Sequence, residues 1–373
     1  MAHSHVDPDG LMEFSVVFTD RSLNHMSAVF QQVMRDISGM LKDVYKADHV
    51  AIVPGGGTYG MEAVARQFGA DAHALIVRNG WFSYRWTQIF DAGQFTAQTT
   101  VFKARQAGND TRAPFAPAPI EDVTQAIREA RPDVVFAPHV ETSAGIILPD
   151  DYITQLAAAA HEVGALMVLD CIASGCVWVD MAATGVDVLI SAPQKGWSAS
   201  PSAGLVMMSN RAKERLDATT SNSFAIDLKK WSSIMEAYEN GGHAYHATMP
   251  TDALRAFRDT MVETRDYGFD KLRDAQWELG NAVRDMLREK GIKSVAAEGY
   301  GAPGVVVSYT DDPDIQNGKK FAALGMQIAA GVPLQCDEPS DFRTFRLGLF
   351  GLDKLYDVAD TVERLRGVVD QVL

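Results

Sequence analysis

The sequence is poor in cysteine, in basic residues and in long apolar runs. Only three cysteines occur in 373 residues, at 171, 176 and 336. That number excludes a disulfide framework, and no Cys/His pair follows at zinc-finger distance. A reducing cytoplasm is the expected compartment. Lys and Arg total 34 against 48 Asp and Glu, a formal charge of −14. Such a chain lacks the basic footprint that nucleic-acid binding needs, although one pocket can be positive on an acidic protein. No apolar stretch reaches membrane-spanning length. The start, "MAHSHVDPDGLMEF", has no charged segment followed by an apolar run, so no signal peptide is expected. His3 and His5 read as a floppy polar end, and no metal site is expected.

What the sequence does contain is alternation. Ser22 to Tyr45 repeats apolar residues at helical spacing and predicts an amphipathic helix. From His49 onward, short β-rich runs ("HVAIV", "ALIVR", "DVVFAP", "ALMVLD", "DVLIS") alternate with helical stretches. This predicts an α/β fold, a mainly parallel sheet with helices on both faces. The length suits two domains. The expected division is an N-terminal arm over 1–21, a large domain over 22–255, and a linking helix with a smaller α+β domain over 256–373. Pro250 to about Lys290 reads as long helical structure, and short strands follow between two helices.

In a parallel sheet, sites lie beyond the carboxyl ends of the strands. Polar residues fall there: Gly55 to Thr58, His139 to Thr142, Asp170 and Lys195. "VPGGGTYGMEAVA" puts three glycines between a strand and a helix. That is either a tight turn or a phosphate cradle, where backbone N–H groups and the helix N-terminus meet an anion. It is not a Walker loop and is a poor dinucleotide fingerprint. Asp170, ending "LMVLD", is either a helix cap or the partner of a cation in the crevice. Lys195 lies 25 residues later, one strand–helix–strand step away, among small residues in "SAPQKGWSASPSAG". An amine, a carboxylate and a phosphate cup together are what pyridoxal phosphate requires. The lysine takes the aldehyde as a Schiff base, and the carboxylate keeps the pyridine nitrogen protonated.

Seven segments in register carry a resemblance that runs from about Ser22 to the C-terminus: "GGGTYGMEA", "NGWFSYR", "HVETSAG", "LDCIAS", "SAPQKG", "YHATMP" and "FRLGLFG". The sequence resembles a class V, fold-type-I pyridoxal-phosphate aminotransferase of the alanine–glyoxylate/serine–pyruvate branch. The resemblance implies a phosphate loop at Gly56, Gly57 and Thr58, with Gln194 near the phosphate. It implies Phe82 and Ile172 on opposite faces of the pyridine ring, Thr142 near the ring oxygen and Asp170 at the ring nitrogen. Lys195 would be the catalytic lysine. Arg346 would bind the substrate carboxylate. Tyr245 and Thr248 would reach the phosphate of the neighbouring subunit in a homodimer with shared sites.

The implied reaction moves an amino group from alanine, serine or aspartate to glyoxylate or pyruvate. The alternatives are 2-aminoethylphosphonate–pyruvate transamination and a class V lyase or cysteine desulfurase, with Cys336 as the thiol to consider. A cofactor-binding sensor without turnover is a further alternative, against which no appended DNA-binding domain is visible. The family's usual Gly-Pro-Gly-Pro entry is replaced by "VVFTDRSLNHMS", where Met26 stands in place of a common arginine. Arg78 and Arg85 read as structural. His139 is either a donor toward the cofactor or a core histidine.

Overall fold

The structure is a computed structural model that describes residues 6–108 and 110–373, so His3 and His5 lie outside the described residues. A seven-stranded sheet forms its centre. In spatial order the strands are His49–Pro54, Ala203–Met208, Val188–Ser191, Leu166–Asp170, Val134–Pro138, His73–Arg78 and Gln98–Lys103. Ala203–Met208 runs antiparallel to both its neighbours. The other pairings are parallel. The central strands are continuous runs of Val, Ile, Leu and Phe because helices cover both faces, and Leu75, Ile76, Val135, Phe136, Leu169 and Leu189 are wholly buried.

The first helix covers Ala28–Tyr45, with the Ser27 hydroxyl accepting from Phe30 N at its start. It begins later than the apolar spacing from Ser22 predicts. Residues 6–27 contain no helix or strand. The long helical stretch after Pro250 is two helices, Thr251–Tyr267 and Phe269–Glu289, broken at Gly268. Leu254, Phe257 and Met261 of the former pack into the main core. A second core begins with Leu272 and gathers Leu279, Val283, Phe321, Phe345, Leu347 and Val369. Over it lies a three-stranded antiparallel sheet, Val305–Tyr309, Thr344–Gly348 and Ala329–Ala330, in which Arg346 sits opposite both Val307 and Ala329.

The main sheet therefore presents Gly55–Thr58, Asn79–Phe82, His139–Thr142, Asp170–Ile172 and Gln194–Lys195 along one edge, the carboxyl ends of its parallel strands. Among the described residues, no helix is long and apolar enough to cross a membrane, and no group of three His, Cys, Asp or Glu is placed to hold a metal.

Candidate active site

A cavity of about 230 Å³ opens at that edge. Gly57, Thr58, Phe82, Thr142, Asp170, Ile172, Gln194 and Lys195 line it, joined by Arg85. They come from five separate connections, so the cavity is made by the sheet topology rather than by any one loop. At one end the Gly57–Phe68 helix begins at Gly56 with no side-chain cap. Its first N–H groups and positive dipole end are left for an anion. The Thr58 hydroxyl accepts from Arg85 Nη1 at 2.9 Å.

Asp170 closes the opposite part of the cavity. It is buried, and Ile172 N donates to its Oδ1 at 2.9 Å. Burial pushes its carboxyl up to about 7, with further repulsion from Glu141, against the backbone hydrogen bond and the pull of Arg85 and Lys195. Lys195 is drawn the other way. Burial lowers its proton affinity first, then repulsion from Arg346, while Asp170 opposes both. Its amine stands 5.1 Å from the centroid of the Phe350 ring. The result is a poised amine and a carboxylate lacking a cation of its own.

Phe82 forms the wall beneath two guanidinium groups, Arg85 at 5.2 Å and Arg346 at 5.6 Å from its ring centroid. Arg346 is not part of the cavity wall. Its Nε donates to the Ala330 carbonyl at 2.8 Å and its Nη1 to the Thr142 carbonyl at 3.5 Å. Among the described residues neither Arg346 nor Arg85 makes an ion pair. On a chain of charge −14, this cavity is lined by two cationic side chains, Arg85 and Lys195, and one carboxylate, Asp170.

Tyr245 and Thr248 are not brought to the cavity of their own chain. The two hydroxyls bond to each other at 3.0 Å, on the exposed surface. His139 is a buried residue whose Nδ1 pairs with the Ser174 hydroxyl at 2.7 Å, and burial pushes its imidazole down to about 4. Arg78 donates to Gln335 O and Thr87 Oγ1 and lies over Tyr84, a packing role. Cys336 is buried, its thiol directed at the carbonyls of Arg78 and Leu334, and burial pushes it up to about 12. Arg85 is the residue that sequence reasoning undervalued. The available signal was its place three positions after Phe82, on the same helical face.

The residues fit pyridoxal phosphate. An uncapped helix start with a hydroxyl and a guanidinium suits a phosphate. Buried Asp170 lacks a cation and suits a protonated ring nitrogen. The wall between them is close-fitting: a Cβ on Gly57 would stand 2.6 Å from Ile172 Cδ1. Glycine there lets Ile172 rest directly against the helix start, and any larger residue would have to displace that side chain.

The comparisons agree with this geometry. The chain is 25% identical over 330 residues to alanine–glyoxylate aminotransferase 1 of Saccharomyces cerevisiae, covering 83% of this chain and 82% of that protein. It is 24% identical to a 2-aminoethylphosphonate–pyruvate transaminase of Paraburkholderia phymatum, over 92% of this chain and 90% of that one. The solved alanine–glyoxylate aminotransferase of Nostoc sp. superposes with a TM-score of 0.79 at 22% identity, covering 94% of this chain and 89% of that structure. The Aminotransferase class-V profile matches residues 13–303. The chain belongs to the class-V aminotransferase family and is a transaminase that uses pyridoxal phosphate.

Proposed function

We propose that this enzyme moves the amino group of a small L-amino acid (alanine, serine or aspartate) to a small 2-oxo acid, glyoxylate or pyruvate. The observation that carries the reading is an amine and a buried carboxylate facing one cavity, with Arg346, a guanidinium without an ion-pair partner, beside it. Pyridoxal phosphate, when bound, supplies a carbonyl that takes up the amino group and a ring that withdraws electrons from the substrate Cα. Gly56, Gly57 and Thr58 hold its phosphate, with Gln194 and the positive charge of Arg85. Phe82 and Ile172 hold the ring between them, Thr142 serves the ring oxygen, and Asp170 keeps a proton at the ring nitrogen.

Lys195 acts as base toward the proton on the substrate Cα and, as acid, would deliver that proton to the carbon of the cofactor carbonyl. Its lowered proton affinity leaves more of the amine free to take that proton. Arg346 binds the substrate carboxylate through paired N–H groups, which fixes the carboxylate plane and thereby which Cα bond stands perpendicular to the ring. Holding C–H perpendicular favours amino transfer over decarboxylation.

The working unit is a homodimer. Tyr245 and Thr248 are exposed hydroxyls outside the lining of their own cavity, suited to completing the partner's phosphate site. The arm nearby leaves Leu11, Phe14 and Val16 almost wholly exposed, apolar surface that a second copy would cover. Three unpaired, buried cysteines suit a cytoplasmic protein. A second reading, 2-aminoethylphosphonate–pyruvate transamination, is favoured by the relative of that name and by the cationic cavity. The desulfurase reading is disfavoured, because a buried thiol pushed up to about 12 is neither ionised nor accessible.

A donor screen tests the proposal. With L-alanine and no oxo acid, one equivalent of pyruvate per site is expected, after which turnover stops. Glyoxylate should restart it. Turnover with 2-aminoethylphosphonate but none with alanine, serine or aspartate would transfer the assignment to the second reading. Continuous sulfide release from cysteine would overturn both.

A further inference from the structure

Glu141 is wholly buried in the strand Val140–Glu141, and among the described residues it makes no ion pair. A bare carboxylate in such a place is strongly disfavoured unless its lone pairs are used. Here they are. Oε1 accepts from Phe82 N (3.2 Å), Ser143 N (3.1 Å) and Ser143 Oγ (2.7 Å). Oε2 accepts from Ser83 N (2.8 Å) and Ser83 Oγ (2.7 Å), whose single proton is shared with the Gly80 carbonyl at 3.0 Å.

Together these bonds account for the start of the Trp81–Gly93 helix. Gly80 N donates to Ser83 Oγ, Trp81 N to Ser143 Oγ, and Phe82 N and Ser83 N to Glu141. A Cβ on Gly80 would lie 2.1 Å from Ser143 Oγ and 2.7 Å from Glu141 Cγ, so only glycine lets this first turn seat on the carboxylate. A short capping side chain from the helix itself would satisfy the same N–H groups. Glu141 instead reaches them from a segment 58 residues away, and it grips Phe82 by its own backbone N–H. The ring so held lies beneath Arg85 and Arg346. The same buried charge is felt by Asp170, whose ionisation it opposes, and by Arg346, whose guanidinium it favours.

We propose that Glu141 is a positioning residue for amino transfer: by clamping the first turn of the Trp81–Gly93 helix it sets the Phe82 ring against the cofactor ring and holds Arg346 in register above it. The inference rests on the reading that Phe82 stacks on the cofactor.

The test compares Glu141→Gln, Ser143→Ala and Phe82→Ala with the wild-type holoenzyme. The readouts are pyridoxal phosphate affinity, the visible circular dichroism of the bound cofactor, and kcat and KM for the best amino donor. Glu141→Gln keeps the shape, but its amide NH₂ faces N–H donors whichever way it turns. Losing hydrogen bonds to a charged acceptor should weaken cofactor binding about tenfold or more. Its visible dichroism should change, and kcat should fall more than KM rises. Ser143→Ala should move the same readouts in the same direction by about threefold. If Phe82→Ala shifts affinity and dichroism while the folded Glu141→Gln and Ser143→Ala enzymes match wild type, the positioning role is overturned. A lower melting temperature alone would not rescue it. If Phe82→Ala also matches wild type, the stacking reading fails instead. Should Glu141→Gln not fold, Ser143→Ala and Glu141→Asp carry the test, and wild-type affinity and dichroism in both would overturn the proposal.

Discussion

Two regions carry the residues expected at the site, and they are built on opposite terms. In the cavity floor, Phe82, Asp170 and Lys195 lie at or after the strand ends, and Glu141 bonds Phe82 N with one oxygen and Ser83 N with the other. Around residues 243–248, Tyr245 is 53% exposed and its hydroxyl bonds to that of Thr248, while the arm nearby exposes Leu11, Phe14 and Val16. Rings link the two halves of that outer region: Phe18 and Tyr245 both pack on His25. A hydroxyl and an aromatic ring thus appear in both regions: Thr142 is buried and Phe82 half-buried at the floor, whereas Thr248 and Tyr245 are exposed. The floor is lined by residues that the sheet brings together, and the outer region is exposed surface.

The most drastic way to break the floor is Lys195→Ala. No other amine lines the cavity, so both the covalent cofactor link and turnover should vanish. Borohydride reduction followed by peptide mass mapping reads this directly. A reducible cofactor link at any other lysine would remove Lys195 from its role.

How much of this was legible beforehand differs between the same two regions. The floor was readable because β-rich runs alternate with helices, and such alternation puts every run's end on one edge. Asp170 and Lys195 needed only that rule to meet. Arg85 was undervalued because one arginine on a helix looks like any surface arginine until Thr58 is seen beside it. Glu141 passed unnoticed because its work is to bind backbone N–H groups, and backbone donors leave no mark in a sequence. Helix boundaries were less legible still. Apolar spacing continues through Gly268 although the chain breaks there, and the expected division at 255/256 falls inside a helix that packs into the main core. Nothing in the spacing of Tyr245 and Thr248 tells on which subunit they act. That came only with the family resemblance.

Arg346→Ala probes the side of the floor where Arg346 lies over Phe82. Losing a charged bidentate contact should cost about 2–5 kcal/mol of transition-state binding, read as a large fall in kcat/KM with raised KM for the amino acid. Equal kinetics for every carboxylate donor would place the anion site elsewhere.

Asp170 gives the floor a pH signature. Its folded proton affinity is raised, to about 7 from an ordinary 3.8. The cofactor-free fold therefore binds more protons than the unfolded chain between these values. The stability contributed by neutral Asp170 is full below pH 3.8 and is lost as pH rises through about 7. Asp170→Asn abolishes that titration. Denaturant melts of the cofactor-free proteins should show the variant gaining on wild type by about 2–3 kcal/mol between pH 5 and pH 8. Parallel pH curves would mean that Asp170 is already paired without the cofactor.

The smallest expected effect bears most directly on the contrast between floor and outer surface. If Thr248 completes a phosphate site, Thr248→Ala removes one neutral hydroxyl from it, which should weaken cofactor binding by about tenfold or less. Taken alone, that loss has two explanations, since Thr248 also bonds Tyr245 within its own chain. Mixing separates them. In a heterodimer of Lys195→Ala with Thr248→Ala, one site takes its lysine from the Thr248→Ala chain and its outer hydroxyls from the Lys195→Ala chain, and so carries neither change. The other site carries both. If the outer region serves the partner, the heterodimer should bind cofactor at its intact site with wild-type affinity and regain turnover there. If Thr248 acts within its own chain, every site holding Lys195 also holds the weakened loop, and affinity stays at the Thr248→Ala value. A heterodimer that assembles and shows only that weaker affinity would return Tyr245 and Thr248 to the surface of their own subunit.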